Sequence, residues 1–223
     1  MSNSWRYQAL LSRPLVAEDV SRTLAIANAQ GYDPHNPGTG RVSGIALNGL
    51  DERDHATLDE AIGVVVREGG SITLWKGEVD VSIAFYSSDR ASARPTWSGV
   101  DLYIDNTFYR DDDRRVETAI SIKSIFVSIC DELQAFYGYA TDEELWELVS
   151  NKWADAREAL ANGAKPAVLF WLNYYGLRHF KWASADAFED LPAAVTRFRN
   201  GVLLSFFEFP WQVNRSLLKD LSG

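Results

Sequence analysis

The chain has 223 residues, with 31 acidic against 22 basic for a formal charge of −9, 46% hydrophobic residues and a single cysteine, Cys130. That length can bury a substantial core, and one thiol excludes an internal disulfide. The acidic balance argues against direct nucleic-acid binding, because readers of a phosphate backbone carry a basic stripe; it favours a cationic partner.

No apolar run approaches the roughly 20 residues a helix needs to cross a bilayer, so no membrane role is expected. The opening Met1-Ser-Asn-Ser-Trp5 lacks the basic and apolar regions of an export signal, and the expected location is cytoplasmic.

Trp5 to Leu11 reads as a first strand. After Pro14, Val16, Val20, Leu24 and Ala27 recur at helical spacing, and Gly31 should end that helix. Tyr32 to Gly40 holds two prolines and two glycines and reads as a turn-rich loop, with Val42 to Leu47 a short strand beyond it. Asp51 is placed to cap a second helix with Leu58, Ile62 and Val65 on one face, ended by Gly69-Gly70. Ser71 to Trp75 then turns through Lys76-Gly77 into a half-buried strand in which Val79, Val81, Ile83 and Phe85 alternate with polar residues. After a polar loop over Ser87 to Gly99, Val100, Leu102, Ile104 and Phe108 alternate in the same way, predicting an antiparallel partner.

From Arg114 to Tyr137 the period changes to that of a helix, with Val116, Ile120, Ile122, Ile125, Phe126, Ile129, Leu133 and Phe136 predicted as a broad apolar face. Thr141-Asp-Glu-Glu144 has capping-box spacing, opening a helix with Leu145, Val149, Trp153, Ala156 and Leu160 on one side. Ala167 to Tyr175 is an apolar strand. Asn200-Gly201 between apolar runs predicts a type I′ hairpin turn, followed by a strand over Val202 to Phe209 and a terminal helix over Trp211 to Leu221. These elements predict an α+β fold, a single domain over residues 1–223 with a mainly antiparallel or mixed sheet packed by several helices.

Chemistry-bearing patterns are sparse. His35, His55 and His179 are scattered without metal-ligand spacing, and Cys130 beside Ile129 reads as a small core residue. Gly38-Thr-Gly40 with Gly44 echoes a dinucleotide loop, but it follows a proline-rich loop where the fingerprint requires a strand. Asp80, Asp101 and Asp105 fall on the polar faces of two neighbouring strands, where they serve either as a solvated face or as ligands for Mg²⁺ or Ca²⁺ in a small hydrolase or transferase. Trp171, Asn173, Tyr174 and Tyr175 offer a stacking platform for a small ligand, or core packing. Asp111, Asp112 and Asp113 precede one helix, and Asp142, Glu143, Glu144 and Glu147 open the next; carboxylates there favour the exposed amides, and together they could present an anionic surface to a basic partner.

The order Val168-Leu-Phe-Trp-Leu-Asn-Tyr-Tyr-Gly176, a variable insert, Leu191-Pro-Ala193, Asn200-Gly-Val-Leu-Leu204 and Pro210 resembles that of immunity proteins encoded beside bacterial polymorphic toxins. The resemblance extends over about residues 70 to 215, with its specific residues between Phe170 and Pro210. It implies a cytoplasmic protein that binds and blocks a cognate toxin, with no catalytic residue, cofactor or metal of its own. On that reading the two carboxylate clusters are the expected toxin-binding surface.

Overall fold

The computed structural model describes residues 4–46, 52–77, 79–86, 97–105, 114–149, 152, 156, 159–184 and 186–222. Within them the fold is α+β, and the strand pairings in each half are antiparallel, as the alternating segments predict. The chain forms two compact units, Leu10–Ile104 and Met1–Ala9 with Asp105–Gly223.

In the Leu10–Ile104 unit, α1 (Ala17–Ala29) and α2 (Leu58–Glu68) accompany five strands. These are β2 (Val42–Ala46), β3 (Glu52–His55), β4 (Gly70–Lys76), β5 (Val79–Tyr86) and β6 (Ser98–Asp105), in the order β3-β2-β4-β5-β6. α1 starts where Asp19 reaches back to the Val16 N–H at 3.1 Å. It stops at Gly31, whose φ of 86° is a left-handed geometry that glycine adopts without a Cβ clash. α2 is capped by Thr57, whose hydroxyl accepts from the Glu60 N–H at 3.2 Å. That corrects the cap expected at Asp51, which itself lies outside the described residues; the polar run before Thr57 is the edge strand β3, whose lack of apolar alternation hid it.

The second unit carries β1 (Ser4–Leu11, up to Ala9), β7 (Tyr137–Asp142), β8 (Leu172–Gly176), β10 (Gly201–Ser205) and β9 (Ala194–Arg197), in that spatial order. Among the described residues its helices include α3 (Arg115–Glu132), α4 (Glu143–Val149) and a terminal helix, here α5, over Arg215–Leu221. α3 is shorter than the sequence period suggests. Gln134 takes a φ of 56°, and the Ala135 and Gln134 amides donate back to the Cys130 and Asp131 carbonyls at 2.8 and 3.2 Å, a Schellman closure built on glutamine where glycine is usual. Leu133 and Phe136 are buried as expected, but the chain from Tyr137 onward is strand β7. At the other end, Val116 and Ile120 are 42% and 57% exposed, so the buried face of α3 is narrower than predicted.

The β9–β10 hairpin forms where expected, but its turn is displaced by one residue. The Phe198 N–H donates to the Gly201 carbonyl at 2.8 Å, so Arg199 and Asn200 are the central pair, and neither has positive φ. Gly201 is already in the strand. A Cβ there would stand 2.1 Å from the Tyr174 ring, so the glycine makes room for a buried aromatic. Asn200 is held by Asp131 at the end of α3, receiving no help from a type I′ geometry.

Candidate functional site

Strand alternation divides the residues of β2 to β6 into two faces. Val42, Ile72, Leu74, Val81, Ile83, Phe85, Val100 and Leu102 are buried. Ser43, Ile45, Asp54, Thr73, Trp75, Asp80, Ser82, Ala84, Tyr86, Asp101 and Tyr103 point the other way, by the registers Ser43↔Asp54, Thr73↔Ser82, Trp75↔Asp80, Ala84↔Asp101 and Ser82↔Tyr103. This second face has carboxylates, hydroxyls and aromatic rings at its strand positions.

Asp101 organises it. Although 1% exposed, its carboxylate accepts from the Tyr103 hydroxyl at 3.1 Å and from the Tyr86 hydroxyl at 3.4 Å. Tyr86 lies across Gly99, where a Cβ would be 2.1 Å from the phenol oxygen. The two half-buried tyrosines are therefore pinned from below. At the other end of the face, the Asp54 carboxylate accepts from the Ser43 hydroxyl at 2.7 Å, and the Arg41 guanidinium donates to the Asp54 carbonyl at 3.1 Å from the rim. A cavity of about 410 Å³ opens here, lined by Ser43, Gly44, Ile45, Arg53, Asp54, Thr73 and Trp75. Gly44 belongs to the opposite side, where a Cβ would press to 2.4 Å from the Ser71 carbonyl.

The geometry does not assemble Asp80, Asp101 and Asp105 into an ion cage. Asp101 and Asp105 are four residues apart on one extended strand, about 13 Å, and Asp101 is engaged by two phenols. Among the described residues no group of three or more His, Cys, Asp or Glu is placed to hold a metal ion.

The helix-start carboxylates fall into three groups. Asp111, Asp112 and Asp113 lie outside the described residues. Asp142, expected at the surface, is instead buried: its Oδ1 caps α4 by accepting from the Leu145 N–H at 2.7 Å, and its Oδ2 accepts from the Arg215 Nε at 2.8 Å and from Nη2. The cap is thus one residue later than the predicted Thr141, whose hydroxyl donates to the Asp142 carbonyl at 3.0 Å. Glu144 lies 3.3 Å from the same guanidinium, whose pKa the Asp142 hydrogen bond raises against the opposing effect of burial. Glu143 and Glu147 are exposed, and Glu143 accepts from the Ser4 hydroxyl at 3.2 Å.

Trp171, Asn173, Tyr174 and Tyr175 are core, each at most 1% exposed. Asn173 Oδ1 accepts from the Tyr137 hydroxyl at 2.9 Å and the Phe170 N–H at 3.1 Å, while its Nδ2 donates to the Phe170 carbonyl at 2.6 Å. Burial pushes the Tyr137 phenol well above its ordinary pKa. The side chain closes a local turn and a cross-strand contact, which accounts for an amide inside an apolar strand. His179 is likewise structural: its Nε2 meets the Leu160 carbonyl and its ring packs 5.1 Å from that of Phe136.

No protein-family model matches the chain, and no curated protein does. Among solved structures, a Pseudomonas aeruginosa T6SS protein matches with a TM-score of 0.52 and 15% identity, over 91% of this chain and 66% of that one. The chain thus spans slightly under two thirds of that protein's length, and at this identity what the two share is the fold.

Proposed function

We propose that the protein is a stoichiometric toxin inhibitor, an immunity protein that covers the active surface of a cognate toxin, and that the face organised by Asp101 makes the contact. The observation carrying this reading is the union of acid and anchored aromatics on one sheet face. Tyrosines already fixed in the free protein lose little side-chain freedom on binding, which is the character of interface anchors. The exposed carboxylates of Asp54 and Asp80 suit a basic toxin surface and accelerate encounter. The fold shared with a T6SS protein agrees with a role in type VI secretion between competing bacteria, the setting in which such inhibitors act. A basic, cleft-bearing toxin is the partner this surface would fit, and the protein contributes no catalytic step.

Coexpression with the toxin domain encoded beside it provides the test. The wild-type chain should restore growth and copurify with the toxin, whereas Tyr86→Ala with Tyr103→Ala, or Asp54→Lys with Asp80→Lys, should lose both. Charge reversal at Glu143 and Glu147 measures the helix-start surface separately. Full protection by the sheet-face variants, folded and at equal abundance, would reject the assigned face; no protection by the wild type would reject the function.

A further inference from the structure

The cavity at the Asp54 end of the sheet face joins an unstacked indole to a carboxylate that no cation neutralises. Trp75 is half-buried in its wall, and among the described residues its ring meets no second aromatic and no cation. Asp54 is exposed on the same wall; Ser43 donates to its Oδ1 at 2.7 Å, and among the described residues its Oδ2 accepts from nothing. The Thr73 hydroxyl, half-buried beside them, likewise has no hydrogen-bond partner among the described residues. Ile45 completes the wall with an apolar side chain.

The described charges around this mouth leave a negative balance. Asp33 and Trp75 exchange backbone hydrogen bonds of 2.9 Å in both directions, and Trp75 faces Asp80 across the next strand pair. Directly opposite residues share a face, so a carboxylate flanks the indole on each side. Asp33 is held ionised by the His35 backbone N–H and ring nitrogen, which lower its pKa. Arg53 lines the cavity, but it pairs with Gly44, whose side of the sheet is the other one, and its guanidinium is held by Glu68 of α2 at 3.1 Å. Lys76 alternates to that other side too, with its ammonium 5.7 Å from the centre of the Tyr32 ring. Arg41 remains at the rim, donating to the Asp54 carbonyl at 3.1 Å. Asp33, Asp54 and Asp80 therefore outweigh Arg41.

We propose that this cavity receives an arginine side chain of the partner protein, the guanidinium resting on the Asp54 carboxylate and against the Trp75 ring. This rests on the reading of the sheet face as the toxin contact, and it names the residue that the toxin would insert. A planar guanidinium stacks on an indole, forks onto a carboxylate and has donors left over for the Thr73 hydroxyl. Being more weakly hydrated than an ammonium, it also enters a cavity walled by Ile45 and Trp75 at lower cost than lysine. The alternatives are selected against. An acidic side chain meets Asp54, and an apolar one leaves the carboxylate and the threonine hydroxyl desolvated without partners. Arginine in such a pocket is a common interface hot spot.

The probes are acetyl-Gly-Arg-Gly-amide, acetyl-Gly-Lys-Gly-amide and acetyl-Gly-Glu-Gly-amide, each titrated at millimolar concentration into ¹⁵N-labelled full-length protein. The arginine peptide should give saturable shifts at the Trp75 indole N–H and at the Ser43, Asp54 and Thr73 amides, the lysine peptide should bind more weakly, and the glutamate peptide should give none. Asp54→Asn keeps an acceptor for Ser43 and should hold the wild-type melting temperature within a few degrees, yet weaken the arginine peptide at least about tenfold, the loss expected for a hydrogen bond between charged groups. Trp75→Leu should weaken it as well. Equal binding of the arginine and lysine peptides, binding of the glutamate peptide, no saturable shift, or undiminished binding to Asp54→Asn would overturn the proposal. A chain that fails to protect against its toxin rejects the function proposed above whatever the peptides do, whereas a protecting chain that ignores the arginine peptide rejects the arginine pocket alone.

Discussion

Asp131 and Asn200 are joined twice, the Asn200 backbone N–H donating to Asp131 Oδ1 at 2.7 Å and its side-chain amide donating to the Asp131 carbonyl at 2.9 Å. Tyr174 donates to the same Oδ1 at 3.0 Å, so one carboxylate ties the last turn of α3 to the β9–β10 turn and to β8. Gly201 lies between them because the Tyr174 ring occupies the space a side chain would need. Gly201→Ala should therefore displace Tyr174 and cost roughly 2 to 4 kcal/mol, the sum of overpacking and a lost hydrogen bond. Urea unfolding followed by tryptophan fluorescence measures this. A loss under about 1 kcal/mol would contradict the close approach of the Tyr174 ring as the reason for the glycine.

Asp142 serves α4 and α5 at once. Asp142→Ala removes the cap on Leu145 and leaves Arg215 with Glu144 as its remaining carboxylate. The expected loss is roughly 2 to 4 kcal/mol, since a buried acceptor and its charged partner are both affected. Glu147→Ala, at an exposed position of the same helix, should change stability by under about 0.5 kcal/mol.

Acid should weaken the start of α1. Burial acts to raise the Asp19 pKa, but hydrogen bonds from Arg13 and from the Val16 amide outweigh it, leaving the carboxyl below its ordinary value. A carboxylate with a depressed folded-state pKa binds fewer protons folded than unfolded, so its stabilisation is present above the ordinary value of about 3.9 and is lost as pH falls through the folded value. Asp19→Asn should flatten the stability profile below about pH 4 relative to wild type. An unchanged profile would remove Asp19 from the acid transition.

The thiol of Cys130 should be inert in the folded protein. Burial, with a smaller effect from Asp131, pushes its pKa well up, and the side chain is fully enclosed against Gly138, where a Cβ would be 2.6 Å from Sγ. Iodoacetamide should label it only on unfolding. Labelling at a rate independent of denaturant would contradict the packing.

Ile120 and Ile122 separate the exposed and buried sides of α3. Ile122→Ala should cost roughly 2 to 5 kcal/mol, the cavity range for a buried isoleucine, whereas Ile120→Ser should stay within about 1 kcal/mol. Thermal unfolding of the pair decides whether the exposed side is part of the core.

The residues by themselves determined the parts that depend on local period. Val79 to Phe85 alternates as a strand because one side meets apolar neighbours, and the structure repeats that alternation residue by residue. Gly31, Gly69 and Gly77 stop their elements with positive φ, as a missing Cβ allows. Tertiary structure decided what local pattern leaves open. Apolar spacing made α3 run on through Phe136, but a glutamine in the left-handed region closed it and turned Tyr137 into β7. Asn200-Gly201 carried a turn signal for a different reason than turn geometry, because its demands come from Asp131 and Tyr174, residues 69 and 27 positions away. The same holds for the candidate face: Asp101 was visible as one more polar position on a strand, and only the cross-strand register that brings it under Tyr86 made it a buried anchor. Hydrogen bonds between residues distant along the chain leave no periodic trace, so a sequence shows the donor and acceptor types without showing which of them meet.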